Sequence, residues 1–230
     1  DDYHVIRNPV VHELLTTLLE NLPPRMRVVI ASRITPVLPL ARWRARNQLL
    51  ELRAGDLRFS TEETHIWLNQ QSRELPDKVI ARLVEKTEGW GAGLQLATAL
   101  LNESDNQDAV VAQLTGTQPY IFDYLMEEVF GQQADDIQSF LLRSSVFSEL
   151  NPETCATVLK IPSAHEILTK LEKNSLFISR LNTQKRWYRY HQLFRDFLLS
   201  KFKLQSPDDY TATQATAGEY FAQSRQSETA

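Results

Sequence analysis

Cysteine is nearly absent from this 230-residue sequence, since Cys155 is the only one. A single thiol excludes an intrachain disulfide framework and a thiolate metal site, and it suits a reducing compartment. The longest apolar stretches lie around Phe122 and Phe177 and are far shorter than the roughly 20 residues that span a bilayer. The sequence therefore predicts a cytoplasmic protein without a membrane segment.

Two further absences concern the start of the chain and phosphate-binding motifs. Neither an initiator methionine nor a signal peptide precedes Asp1, so the chain is expected to be a piece of a longer protein. The sequence contains no G-x-x-x-x-G-K-[ST] motif. The phosphate cradle of any nucleotide site is therefore expected upstream, or not at all.

Charge is unevenly distributed along a chain of net charge -4. Residues 25–58 hold eight arginines and two acidic residues, and residues 180–203 hold seven basic residues and one acidic residue. Such short basic segments favour local binding of an anion over coating of a nucleic-acid duplex. Solvated arginines in loops remain the alternative.

The first third of the chain predicts an α/β layer. Asn8 and Pro9 are typical of a helix start, and an apolar stripe at helical spacing follows as far as Leu19. Residues 28–31 form a short β-branched apolar run, which predicts a strand buried on both faces of a parallel sheet. One strand makes no sheet, so its neighbours are expected upstream.

The rest of the chain is predicted to be mainly helical. Capping boxes begin at Ser60 and Ser163, and Asn151 precedes Pro152. Residues 102–107 are a candidate linker. Further helices are predicted over residues 76–87, 120–130, 135–145, 152–160, 163–174 and 210–225, with one more after residues 89–91.

A hairpin is predicted near the end of these helices. Residues 176–181 and 186–190 flank a four-residue turn at 182–185, and an amphipathic helix follows from Leu193. Several helices followed by a two-stranded wing are typical of a winged-helix domain.

Asp1 and Asp2 are candidates for phosphate chemistry, because they stand where a parallel strand ends and open α/β sheets bind ligands. One carboxylate can hold Mg²⁺ while the other orients a water molecule. Arg33 follows the next predicted strand and can sense a terminal phosphate. The alternative is two acids favoured by a helix N-terminus.

Two other features have simpler explanations from the sequence alone. The glycine-rich residues 89–93 follow a helix rather than a strand, so close helix packing is favoured over dinucleotide binding. His191 lies between the hairpin and the last amphipathic helix, where most histidines only satisfy a domain junction. The helical histidines lack i, i+4 partners, so no histidine metal site is supported.

Six short motifs occur in one order over nearly the whole chain. They are DDYH at 1–4, ASR at 31–33, LPLARWRAR at 38–46, LLEL at 49–52, GWGAGLQL at 89–96 and YHQLFRDFL at 190–198. Taken together, these motifs resemble those of the large ATP-binding LuxR-type transcription regulators of the STAND class of signalling ATPases.

This resemblance implies four parts. They are the C-terminal part of a P-loop nucleotide-binding domain at 1–55, a helical linker domain at 56–105, a winged-helix domain at 106–205 and the start of a helical sensor region at 206–230. Asp1 resembles the Walker B magnesium acid and Asp2 the acid that positions water. Arg33 resembles the sensor arginine, and His191 the winged-helix histidine that touches the β-phosphate of ADP.

The function implied is the switch portion of an inducer-responsive transcription regulator that uses ATP, ADP and Mg²⁺. It is closed with ADP and self-associates when open. An unknown small molecule is the inducer, and DNA is bound only through a region absent from this chain. As part of a slow signalling ATPase without its P-loop, the chain is not expected to hydrolyse ATP alone.

Two alternatives belong to other classes of protein. The first is a free-standing winged-helix nucleic-acid-binding module, although residues 163–174 carry balanced charges that make a poor groove reader. The second is a metal-dependent phosphohydrolase built on Asp1, Asp2 and His4, which lacks further ligands.

Overall fold

A computed structural model describes residues 1–71, 74–102, 106–174, 176–182 and 186–228. Over these ranges the protein is mainly helical with a small two-stranded sheet. The helices of its first half are α1 Pro9–Glu20, α2 Leu40–Ala45, α3 Thr61–Gln70, α4 Asp77–Thr87, α5 Gly91–Asn102, α6 Gln107–Ala112 and α7 Pro119–Tyr124. The elements of its second half are α8 Asp135–Ser144, α9 Pro152–Leu159, α10 Ala164–Lys173, β1 Ile178–Asn182, β2 Trp187–Tyr190, α11 Gln192–Gln205 and α12 Pro207–Glu228.

Three of the predicted helix starts are confirmed by their caps. The Asn8 side chain accepts the backbone N–H of Val10, and Asn151 caps α9 in the same way. Ser60 and Glu63 form a reciprocal capping box at α3. The box predicted at Ser163 is wrong, because the backbone of Ser163 (ψ 9°) is not extended and its side chain makes no capping hydrogen bond.

The strand predicted at residues 28–31 is not formed. A strand is defined by its ladder of hydrogen bonds, and this segment has one backbone bond to a neighbouring segment, from Tyr3 N–H to Ala31 O (3.0 Å). Val29 is 92% exposed. The predicted apolar stripe of α1 is present, but none of its residues is buried. Over the described part of residues 1–55, only Tyr3 and Trp43 are buried apolar side chains.

The hydrophobic core lies in the helices from α4 to α12. Helix α11 runs through it and contacts α4, α8 and α12, while α9 packs on α8, α10 and α12. Large side chains fill this core. They are Phe130, Phe140, Tyr188, Phe194, Phe197 and Phe202, each less than 2% exposed.

The predicted hairpin is confirmed. Strands β1 and β2 are antiparallel, with Ile178 opposite Tyr190, and Leu150 adds an isolated bridge to Tyr188. The turn predicted at residues 182–185 lies largely outside the described residues, as does the centre of the linker predicted at 102–107. Helices α8 to α10 followed by this wing form the expected winged-helix arrangement.

Two details of the helices differ from expectation. The segment predicted as one helix over 120–130 is α-helical to Tyr124 and then π-helical over Leu125–Phe130, with Gly131 N–H bonded to Met126 O (2.8 Å). The last helix begins at Pro207 rather than near Tyr210. No helix in the described ranges has the length and apolar character needed to cross a bilayer.

Candidate functional site

The acidic pair at the start of the chain precedes Tyr3 and His4, which contact residues 31–33. The Asp2 N–H donates to Asp1 Oδ1 (2.9 Å), and both residues are exposed. Buried Tyr3 anchors this segment, because its N–H bonds Ala31 O and its hydroxyl contacts His12 Nδ1 (2.5 Å). The structure therefore brings residues 1–4 next to residues 31–33 without a sheet.

Arg33 reaches across to the π-helical turn. Its guanidinium donates to Glu128 O (3.0 Å) and Glu128 Oε2 (3.2 Å), and its backbone N–H donates to His4 Nδ1 (3.4 Å). Both Arg33 and Glu128 side chains are about half exposed. Arg33 is thus held by a carboxylate 95 residues away in sequence. In the described residues, no three histidine, cysteine or acidic side chains are grouped as a metal site.

His191 occupies the N-cap position of α11 without a side-chain capping hydrogen bond, and it is only 6% exposed. Its Nε2 lies 2.8 Å from Thr87 O, so Nε2 carries the proton, because a carbonyl oxygen can only accept. Its Nδ1 is buried and has no hydrogen-bond partner among the described residues. Burial lowers the pKa of His191, against the opposing effects of Glu88 and the Thr87 carbonyl.

The surroundings of His191 come from the helical middle of the chain and from the hairpin. The Trp90 and Phe177 rings pack against it in T-shaped arrangements, with ring centroids 6.0 Å and 5.6 Å away. Its backbone N–H donates to Phe177 O (2.8 Å). His191 therefore lies at a junction between α4, the residues after it and the winged helix.

The glycine-rich segment beside this junction serves close packing, as predicted. Gly89 has φ +71°, and a Cβ there would lie 2.4 Å from Phe59 O. The Phe59 N–H donates to Gly89 O (2.8 Å). This left-handed backbone lets the chain turn between α4 and α5 against residue 59.

Glu88 is the site residue that sequence reasoning missed. Its carboxylate accepts hydrogen bonds from both terminal nitrogens of Arg189 (2.9 Å each), from the Gln192 N–H (3.0 Å) and from the Arg58 guanidinium (3.3 Å). Burial opposes ionisation, but the Arg189 hydrogen bonds and neighbouring His191 outweigh it and lower the pKa of Glu88. The two basic segments each supply one arginine, but nothing in the sequence distinguishes Glu88 from the other acidic residues between those segments.

Arg195, one turn after His191, holds the chain that follows α8 through hydrogen bonds to its backbone. Its Nε donates to Ser145 O (3.1 Å) and Phe147 O (2.9 Å), which are carbonyls just after α8. Cys155 is buried in the core, and desolvation raises the pKa of its thiol to about 12.

The winged-helix region matches a known family. Residues 126–210 match the family described as the MalT winged helix domain. Over 223 residues the chain is 30% identical to the HTH-type transcriptional regulator MalT of Vibrio cholerae, covering 94% of this chain and 24% of that protein. Over 202 residues it is 34% identical to the MalT regulator of Yersinia enterocolitica, covering 86% of this chain and 22% of that protein. The chain thus spans about a quarter of the length of these curated relatives.

Proposed function

Since this chain is homologous to part of the MalT-type transcriptional regulators and contains their winged helix domain, we propose that it is the nucleotide-dependent switch portion of such a regulator. Residues 1–55 would complete a P-loop nucleotide-binding domain, 56–105 a helical linker, 106–205 the winged helix and 206–230 the start of a sensor region. ADP would favour the closed arrangement, while ATP and an inducer would favour an open form that self-associates in the cytoplasm. These ligands would act by binding the two arrangements with different affinity.

The observation that carries this proposal is His191. One ring nitrogen is fixed on the Thr87 carbonyl, and the other is buried without a partner among the described residues. Buried polar atoms are nearly always hydrogen-bonded, so an unpaired Nδ1 fits a missing ligand. A phosphate oxygen of ADP is the partner that we assign to it. Nδ1 of the neutral ring is an acceptor, so this bond requires a second proton on the ring, which the phosphate charge would favour. The phosphate reaches Nδ1 only when the surrounding side chains shift.

The start of the chain supports a nucleotide-binding role in a second way. Tyr3 and His4, which follow Asp1 and Asp2, are hydrogen-bonded to Ala31 and Arg33. Helix α1 exposes an apolar stripe that includes Leu14 and Leu18. Such a stripe is typical of a helix that packs on a sheet. Asp1 would hold Mg²⁺, Asp2 would orient water and Arg33 would bind the terminal phosphate. Bound Mg²⁺ supplies neutralisation of phosphate charge.

Two substitutions in a complete regulator that carries this chain test these roles. Asp1→Ala is expected to weaken Mg²⁺-nucleotide binding, and Asp2→Asn is expected to lower hydrolysis more than binding. The 230-residue chain alone is expected to bind ADP weakly, because its sequence has no phosphate cradle. Equal loss of binding and hydrolysis in both variants, or micromolar ADP binding by this chain, would contradict the proposal.

Specific DNA binding by this winged helix has less support. Helix α10 exposes acidic Glu166 beside its lysines, and Glu172 is engaged by Arg180 (2.6 Å). A helix of balanced charge lacks the basic surface that attracts phosphates. DNA recognition is therefore assigned to another region of the regulator. A sequence-specific gel shift with this chain at physiological salt would favour the alternative of a winged-helix nucleic-acid-binding module.

A further inference from the structure

Glu88 occupies an unusual backbone position at the end of α4. It has φ 49° and ψ 31°, a left-handed conformation that non-glycine residues seldom adopt. Its side chain is only 11% exposed. Gly89, which tolerates this conformation, follows directly. The strain at Glu88 is therefore maintained by what its side chain contacts.

The Glu88 carboxylate joins two distant parts of the chain. Both oxygens accept from Arg189, which is the planar, bidentate geometry that makes arginine–carboxylate pairs strong and directional. Oε1 also accepts the N–H of Gln192, the first residue of α11, whose N–H has no partner within the helix. Negative charge at a helix N-terminus is favourable in its own right.

His191 lies between these two attachment points. Arg189 and Gln192 are bound by Glu88, and His191 Nε2 is bound by Thr87, the residue before Glu88. The ring contacts nearby, such as Trp90 on Phe177 with centroids 5.0 Å apart, hold the surfaces together and are less directional than hydrogen bonds. The Thr87 carbonyl fixes Nε2, and Glu88 fixes the chain on both sides of His191.

We propose that Glu88 is a positioning residue, which clamps the start of α11 to the end of α4 and thereby aims His191 Nδ1 at its ligand. This inference rests on the proposed function for the identity of that ligand. Loss of the carboxylate charge would leave the Arg189 guanidinium without its bidentate partner while the apolar junction stays packed. The expected result is a folded protein in which His191 is poorly oriented.

Glu88→Gln tests the clamp, because glutamine keeps the shape of the side chain and removes its charge. Glu172→Gln is the matched control, since Glu172 also pairs with an arginine, Arg180, but within the winged helix. Both variants are made in the complete regulator. The first measurement is hydrogen exchange of the Gln192 amide without nucleotide, and the second is the rate of ADP release.

Glu88→Gln is expected to speed exchange at Gln192 and ADP release by about tenfold each, with a melting temperature close to that of Glu172→Gln. Glu172→Gln is expected to change neither rate. Arg189→Lys, which keeps the charge but loses the bidentate geometry, should give intermediate rates and serves if Glu88→Gln does not fold.

Three results would contradict parts of this inference separately. Unchanged exchange at Gln192 in Glu88→Gln would overturn the clamp. Faster exchange with unchanged ADP release would overturn the positioning role. Failure of the unsubstituted regulator to bind ADP would overturn the proposed function. The exchange rate at Gln192 would still test whether Glu88 holds the start of α11.

Discussion

Gly116 lies where the loop between α6 and α7 touches the backbone of α11. A Cβ at this position would lie 1.7 Å from Leu193 O and 2.8 Å from Phe197 N. The Gly116 N–H also bonds the carboxylate of Asp196, whose burial raises its pKa. The loop therefore packs backbone against backbone at this point, and any side chain there must displace α11.

Gly116→Ala is expected to lower the free energy of unfolding by about 1–3 kcal/mol, because overpacking forces the backbone to move. Gly55→Ala is the matched control, since a Cβ there would meet nothing within 4 Å. Denaturant unfolding of both variants measures the difference. Equal stability of the two variants would contradict the close approach at Gly116.

His191 predicts a pH dependence of stability. Its pKa is lowered in the folded protein from an ordinary value of 6.5, mainly by burial. As the pH falls below about 6.5, the His191 ring binds a proton in the unfolded chain but not in the folded protein. The free energy of unfolding therefore falls until the pH reaches the lower pKa of the folded protein. Above pH 6.5 the contribution is fully present.

Unfolding free energies at pH 8.0 and 5.5 check this prediction. The drop between them should be smaller in His191→Gln than in the unsubstituted chain, because the other titrating groups are common to both. His165→Gln, which replaces an exposed ring, should keep the full drop. An identical drop in all three proteins would contradict the buried state of His191.

At the scale of secondary-structure elements, α1 is unlike the other long helices. Its stripe faces outward, with Leu14 65% exposed, whereas Leu168 on α10 is fully buried. Leu14→Ala should therefore change the unfolding free energy of this chain by less than about 0.5 kcal/mol. Leu168→Ala should cost about 2–5 kcal/mol. Similar losses in the two variants, measured by denaturant unfolding, would show that α1 is covered in this chain.

The same contrast explains which elements were predictable from sequence. The caps at Asn8, Ser60 and Asn151 are local signals within a few residues, and all three are present. The strand at residues 28–31 is a non-local feature, because its ladder depends on partners elsewhere. The π-helical turn Leu125–Phe130 has no pattern of its own in the sequence.

In the candidate site, too, local sequence features were predictable and long-range contacts were not. Arg33 was singled out by its place after a predicted strand and His191 by its resemblance to a family histidine, and their ligand-binding roles stay predictions. Their structural partners, Glu88 beside His191 and Glu128 beside Arg33, were not found. Arg189 and Glu88 are 101 residues apart, and charge patterning gives no means of pairing residues at that separation.

For the whole molecule, two regions differ in how they are stabilised. Residues from α4 to α12 share one hydrophobic core, into which the winged helix is built. Residues 1–55 contribute little buried apolar surface and meet the π-helical turn through Arg33 and Glu128. The proposed switch lies where the core carries its buried polar junction, at Thr87, Glu88 and His191.

The central claim is that His191 ties the winged helix to bound ADP, and ADP release from the complete regulator tests it most directly. A hydrogen bond to a charged group contributes roughly 1.5–3 kcal/mol, so His191→Ala should release ADP about tenfold to a hundredfold faster than the unsubstituted protein. His165→Ala, at an exposed ring, should release it at the original rate. Unchanged ADP release from His191→Ala, accompanied by a lowered melting temperature, would contradict the account and leave His191 as a residue of structural packing alone.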